Sequence, residues 1–300
     1  MAFLHGATAS HSGPKSGLKS RSYTPYLLLG PGLIWLITFF IIPIFSLAST
    51  STMVRPEGAQ VGVYVQKLRF QNYIDAFVAN QDQYIRSFVY AGIATILALA
   101  IAYPLAYMIA FRSGKYRNIL LVLVVAPFFT SFLLRTVAWT QILGDEGPIV
   151  STLKHLPFAS ETLRLTATPF AVVSGLTYNF LPFMTLPLYA SLERIDPRTL
   201  EASGDLYANA FTTFRKVTVP LSMPGVVAGT LLTFIPASGD YVNASILGSP
   251  KTKMIGNVIE SRFFAVVDYP TAAALSFTLM ATILILVTLY IRKSGTDELV

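Results

Sequence analysis

Six apolar runs separated by polar connections dominate this chain: residues 26–47, 85–111, 118–143, 168–192, 220–247 and 270–291. At about 1.5 Å per helical residue, each is long enough to cross the ~30 Å of hydrocarbon in a bilayer. No soluble core hides runs of that length, so they predict lipid as their solvent. Several carry Gly or Pro inside them, among them Pro104, Pro127, Gly175, Pro182, Pro187, Pro236 and Gly239. Neighbouring helices and polar side chains can satisfy the backbone groups that such residues free. Kinks of this kind suit a bundle that opens and closes. The pattern predicts an all-α membrane protein with six transmembrane helices.

The connections orient the bundle. "RSGKYR" (112–117) holds three basic residues in six and no acid, which marks its side as cytoplasmic. Lys15, Lys19 and Arg21 before the first run fall on that side, as do Arg194, Arg198, Arg215 and Lys216 after the fourth and Arg292 and Lys293 after the sixth. Both termini are then cytoplasmic. The expected organisation is a disordered cytoplasmic tail at 1–25, a first transmembrane helix at 26–47, an extracytoplasmic loop at 48–84, a five-helix core at 85–292 with a polar segment at 193–219, and a cytoplasmic tail at 293–300. A cleaved signal peptide is the rival for the first run, because basic residues precede it and Ser46-Leu47-Ala48 resembles a cleavage site. Its length exceeds the usual signal core and favours an anchor.

Composition narrows the classes. The chain is 53% hydrophobic and 12% charged. Its net charge of +7 would suit nucleic acid, but the basic residues flank the apolar runs and form no single patch. It has no cysteine, which excludes disulfides, iron–sulfur clusters and thiolate metal sites. It has no G-x-x-x-x-G-K-[ST] phosphate loop, since "GPKSGLKS" at Gly13 has the wrong spacing, and no H-E-x-x-H pair. Neither ATP hydrolysis nor intramembrane metalloproteolysis is expected of it.

Residues 200–220, "LEASGDLYANAFTTFRKVTVP", break the apolar pattern between the fourth and fifth runs. Pro197 after Asp196 starts a helix, with Asp196 as its N-cap, and Glu201 follows in the early turns. Leu200, Leu206, Tyr207, Phe211 and Phe214 recur at roughly helical spacing and predict one apolar face. By spacing alone, that face could lie on the membrane surface or dock into a groove of another protein.

Polar groups at membrane depth are few. Arg135 and Trp139 lie one turn apart, as an interfacial anchor or cation–π pair or as part of a pathway. Tyr178-Asn179 is either a satisfied interhelical contact or a polar rung. Asp240 is the one carboxylate inside an apolar run, and it faces either a cation or Arg135. "GVVAG" places Gly225 and Gly229 on a close-packing face, which favours association with another membrane chain.

"EASGDLYANAFTTFRKVTVP" resembles the coupling loop of the permease subunits of bacterial ABC importers: Glu201, Ala202, Asp205, Leu206 and Pro220 match its pattern. Ser203 replaces an alanine there, and Tyr207 occupies the position of the glycine that lets the loop bend, leaving Gly204 or Asn209 to absorb the turn. "LPFMTLPLYASLERIDP", "GDYVNASILGSPKTKMIGNVI" and "APFFTSFLLRTVAWTQILG" are similar to the polyamine (spermidine/putrescine) importer permeases, from about Gln71 to Arg292.

The resemblance implies a type I ABC importer permease fold in the bacterial inner membrane, with cytoplasmic coupling helices. It implies a non-catalytic subunit whose coupling residues are Glu201, Ala202, Ser203, Asp205, Leu206, Tyr207 and Ala208. The implied partners are a second homologous permease, two ATP-binding subunits and an extracytoplasmic polyamine-binding protein. ATP and Mg would be held by the ATPase, so no cofactor is expected in this chain. For a polycationic cargo the expected pathway residues are Asp240, Tyr241 and Asn243, with Tyr178, Asn179 and Trp139. The rivals are a stand-alone ion-coupled secondary transporter and an ABC permease for another small solute. One acid at depth and the lack of repeat halves count against the first.

Overall fold

The computed structural model describes residues 24–155 and 164–293. Of the expected tails at 1–25 and 293–300, residues 1–23 and 294–300 lie outside the described residues, as do residues 156–163. The described chain divides into a unit ending at Leu47 and a unit from Ala48 onward. The first run forms helix α1 (Thr24–Leu36), a π-helical turn (Ile37–Ile41) and helix α2 (Ile42–Ser51). Residues 31–47 are exposed throughout, although nearly all are apolar, as a helix solvated by lipid requires.

The second unit opens with a two-stranded antiparallel hairpin, β1 (Met53–Val54) with β2 (Val65–Gln66), and helix α3 (Gln71–Ala79). The long helix α4 (Gln81–Phe111) follows, then α5 (Arg117–Val125), α6 (Phe132–Ile142) and α7 (Pro148–Lys154). Helix α8 (Pro169–Glu193) leads into the short helices α9 (Pro197–Asp205), α10 (Ala210–Thr213) and α11 (Val219–Leu221). The chain closes with α12 (Met223–Ser238), α13 (Val242–Leu247), α14 (Ile255–Glu260) and α15 (Tyr269–Lys293).

Helices α4, α8 and α12 form the centre of this unit, each packed against the other two. Alanine makes the approach close: Ala91, Ala94, Ala98, Ala102 and Ala106 repeat every three or four residues along one face of α4, all fully buried. With only a methyl group at each turn, the helix axes come near enough for Met184, Leu188 and Leu192 of α8 to fill the space between them. Gly225 and Gly229 serve the same end, and here the expectation of an interchain face is corrected. A Cβ at Gly225 would stand 2.7 Å from the Pro187 carbonyl, and one at Gly229 would stand 3.0 Å from the Met184 carbonyl. Both glycines are spent on packing α12 against α8 of the same chain.

Among the described residues, four helical segments are long and apolar enough to cross a membrane, and two bent pairs bring the number to as many as six. The third run is therefore not one continuous helix. Its halves meet at 96°, where Thr130 is extended and Ser131 non-helical after the short turn containing Pro127. The fifth run is also corrected. It begins with a 63° bend between Ala210–Leu221 and Met223–Ser238, and the helix stops at Ser238 rather than continuing to 247. Beyond the Gly239-Asp240-Tyr241 break, α13 starts afresh. The turn at Gly256 presses on this break, since a Cβ there would collide with the Gly239 carbonyl.

Candidate functional site

The polar segment after α8 folds as a helix–turn–helix hook. Asp196 caps α9 by accepting the Arg198 N–H at 2.9 Å, with Pro197 in the first turn. The helix ends after Asp205 in a paired closure: the Tyr207 N–H donates to the Gly204 carbonyl at 2.9 Å, and the Ala208 N–H to the Ser203 carbonyl at 3.1 Å. This closure resembles a Schellman turn, which needs a left-handed residue at its end. That residue is Tyr207, with φ +60°. The bend falls on Tyr207 itself and on neither Gly204 nor Asn209. Asn209 instead caps α10, accepting the Thr212 N–H at 2.8 Å.

A side-chain bond joins the two arms. Ser203 is buried, and its hydroxyl lies 2.8 Å from that of Thr213. The single apolar face expected from spacing is divided by the turn. Leu200 packs on the buried cluster of α4 and α8, and Phe214 sets its ring edge-to-face at 5.5 Å from Tyr103. Leu206, Tyr207 and Phe211 point outward, exposed at 81%, 99% and 69%. Glu201, Ala202 and Asp205 are exposed beside them, and Ala208 is half-buried. The hook thus holds its root in its own bundle and offers an apolar, acidic tip.

At the base of the hook, Arg117 of α5 engages the Tyr189 hydroxyl and the Glu193 carboxylate on the last turn of α8. Its guanidinium sits 5.0 Å from the Tyr189 ring centre. In the sequence Arg117 reads only as a topogenic charge. Its partner Glu193 lies far along the chain, and no local pattern signals the pair.

The polar residues at membrane depth fall into two groups on different sides of α8. Successive helical residues diverge by about 100°, so Tyr178 and Asn179 cannot share a wall. Tyr178 meets Trp139 edge-to-face at 5.5 Å, beside a small apolar cavity with Leu97, Ile101 and Leu181. Asn179 faces the other way. Its amide donates to Thr136 Oγ1 at 3.2 Å and to Asn243 Oδ1 at 3.0 Å. Gly175, one turn earlier, leaves room for this contact, because a Cβ there would stand 2.7 Å from Asn243 Oδ1. Asn243 in turn donates its backbone N–H to Asp240 Oδ1 at 2.8 Å.

Asp240 is buried in the break between α12 and α13 and acts as the cap of α13. It forms no ion pair with Arg135 among the described residues, so that expected pairing is corrected: the carboxylate is turned to its own helix start. Tyr241 is half-exposed, its carbonyl accepting from the Asn257 amide at 2.8 Å. Arg135 lies against Phe128 and Phe132, 5.3 and 5.7 Å from their ring centres. Among the described residues no three His, Asp or Glu side chains gather as a metal site would require.

The chain is similar to known proteins in sequence and in fold. The family described as binding-protein-dependent transport system inner membrane component matches residues 102–293. The spermidine/putrescine transport system permease protein PotB of Haemophilus influenzae is 39% identical over 261 residues, 87% of this chain and 90% of its own. The PotB protein of Escherichia coli is 34% identical over 260 residues, 87% and 94% of the two chains. Among solved structures, a bacterial alginate ABC transporter in complex with an alginate-bound periplasmic protein aligns with a TM-score of 0.68. It covers 92% of this chain and 95% of its own at 18% identity, a likeness of fold.

Proposed function

The chain belongs to the binding-protein-dependent transport inner membrane components, and from that premise we propose that it is the permease subunit of an ATP-driven importer of polyamines such as spermidine and putrescine. The observation that carries the cargo class is the likeness to spermidine/putrescine permeases over 87% of the chain. The outward tip of the hook, Glu201, Asp205, Leu206, Tyr207 and Phe211, supports a docking role toward an ATP-binding subunit. An exposed apolar patch flanked by acids on a short rigid hairpin fits a groove better than open water.

In this reading a second homologous permease completes the passage, and two ATP-binding subunits hold ATP and Mg. An extracytoplasmic binding protein delivers the polyamine. Closure of the ATP-binding subunits pulls on the hook, and the bond between Ser203 and Thr213 makes its two arms move as one. The contact of Arg117 with Tyr189 and Glu193 passes that movement to α5 and α8. A polyamine carries several ammonium groups on an apolar stem. Asp240, Tyr241 and Asn243, with Trp139, Tyr178 and Asn179, are the pathway candidates, and aromatic faces would guide an ammonium at roughly 0.5–2 kcal/mol per site.

The test is isolation of the tagged chain in mild detergent with its neighbouring gene products. Recovery of an ATP-binding subunit and a second permease, with ATP hydrolysis stimulated by polyamine-loaded binding protein, is the expected result. A chain purified alone that transports in vesicles bearing only a proton gradient would overturn it.

A further inference from the structure

Arg135 is more than nine-tenths buried, and two of its nitrogens, Nε and Nη1, have no hydrogen-bond partner among the described residues. It lines a cavity of about 600 Å³ at the 96° break of the third run, with Phe128, Ser131, Asn179 and Phe183. Among the described residues it is the one charged group in that lining, and the acid that the sequence offers it, Asp240, is committed to capping α13. Two aromatic faces soften the guanidinium charge but accept no N–H bond in its plane. A buried cation with free donors is strongly disfavoured unless an anion meets it, and more so at membrane depth. Phe129, on the rim of the same cavity, is 88% exposed, and Leu133 and Leu134 beside it are exposed as well. The cavity therefore opens on an uncovered apolar surface of this chain.

We infer that Arg135 is the socket for an acidic side chain of the second permease subunit, which enters the cavity at the broken helix and ion-pairs with the guanidinium. The planar fork of arginine suits a carboxylate, which a guanidinium edge binds by two parallel N–H bonds. A carboxylate held there also neutralises a positive charge that would otherwise repel a polycationic cargo. The inference rests on the two-permease reading above and adds the contact that registers the pair.

The experiment uses the whole transporter, with the tag on this chain and the second permease quantified in the eluate. Arg135→Glu should lower the recovered second permease by about tenfold or more, since like charges at a buried contact are strongly disfavoured. Arg135→Lys, which keeps the charge, should retain most of it. In the Arg135→Glu background, replacing the acids of the second permease's spans one at a time by Arg should restore recovery at one position. Wild-type recovery with Arg135→Glu in a chain present at normal level would overturn the pairing. So would a loss that no partner replacement repairs, and so would recovery beside the unaltered chain that rises with chloride concentration, which would mark a small-anion site. Absence of any second permease beside the unaltered chain would instead remove the two-permease reading itself.

Discussion

The Ala208 N–H reaches back 3.1 Å to the Ser203 carbonyl, and the residue enclosed by that bond, Tyr207, is held left-handed at φ +60°. A side chain with a Cβ costs about 1 kcal/mol in that conformation, which glycine adopts freely. The tyrosine ring nevertheless projects fully into solvent at the tip of the hook. Tyr207→Gly should therefore raise the stability of the isolated subunit, by at most about 1 kcal/mol, while weakening retention of the ATP-binding subunit. Melting in detergent and co-purification read the two effects separately. Unchanged retention would show that the ring makes no contact there.

The bond between Ser203 and Thr213 yields a second prediction. Ser203→Ala leaves the Thr213 hydroxyl beside a buried methyl, at a cost of about 1 kcal/mol. Removing both hydroxyls, as Ser203→Ala with Thr213→Val, should recover most of that loss. A double variant as unstable as the sum of the singles would mean that the two hydroxyls act independently.

Glu201 and Asp205 are exposed, so Glu201→Ala and Asp205→Ala should change the subunit's melting by less than about 0.5 kcal/mol. Their effect belongs at the interface, where truncating one partner of a charge pair costs about tenfold in binding or more. Transport-coupled ATP hydrolysis should fall while membrane insertion persists. Normal coupled hydrolysis with both carboxylates removed would reduce the hook to a membrane-surface helix.

The features legible in the sequence are those that local chemistry decides. Pro197 after Asp196 marks the start of α9, and the apolar runs mark the helices that lipid must solvate. The hook is legible as a capped polar segment because its residues lie within about twenty positions of one another. The features that are not legible depend on partners distant in the chain. The 96° break needs the surroundings of Thr130 and Ser131, because a proline alone only permits a kink. The G-x-x-x-G motif reports close approach without naming the neighbour, which is α8 of the same chain rather than another chain. Arg117 with Glu193, and the alanine ladder of α4, likewise become meaningful only once α8 lies alongside.

The glycine contacts give a fourth prediction. A methyl at Gly225 would lie 2.5 Å from Ser191 Cβ and 2.7 Å from the Pro187 carbonyl, and the carbonyl is backbone that cannot swing aside. Gly225→Ala should destabilise the subunit by about 1–3 kcal/mol through overpacking. A methyl at Gly204 would meet nothing within 4 Å, so Gly204→Ala should be tolerated. Comparable melting of the two variants would contradict the close α8–α12 packing.

Asp240 separates two roles that one side chain can hold. As the cap of α13 it needs only an acceptor oxygen for the Asn243 N–H, and asparagine supplies one. As a station for an ammonium it needs its charge, which asparagine lacks. Asp240→Asn should therefore keep the subunit's stability within about 0.5 kcal/mol of the parent, because the cap survives. Asp240→Ala loses the cap and should cost about 1 kcal/mol. Uptake discriminates between the roles. If the carboxylate meets the cargo, Asp240→Asn should lower spermidine uptake by about tenfold at limiting substrate, equivalent to ~1.4 kcal/mol. Subunit assembly should be unaffected. Full uptake by Asp240→Asn, with a melting loss only in Asp240→Ala, would confine Asp240 to the helix start. The passage would then have to take its negative charge from the partner permease, and the carboxylate expected at Arg135 cannot serve, because its charge is already matched.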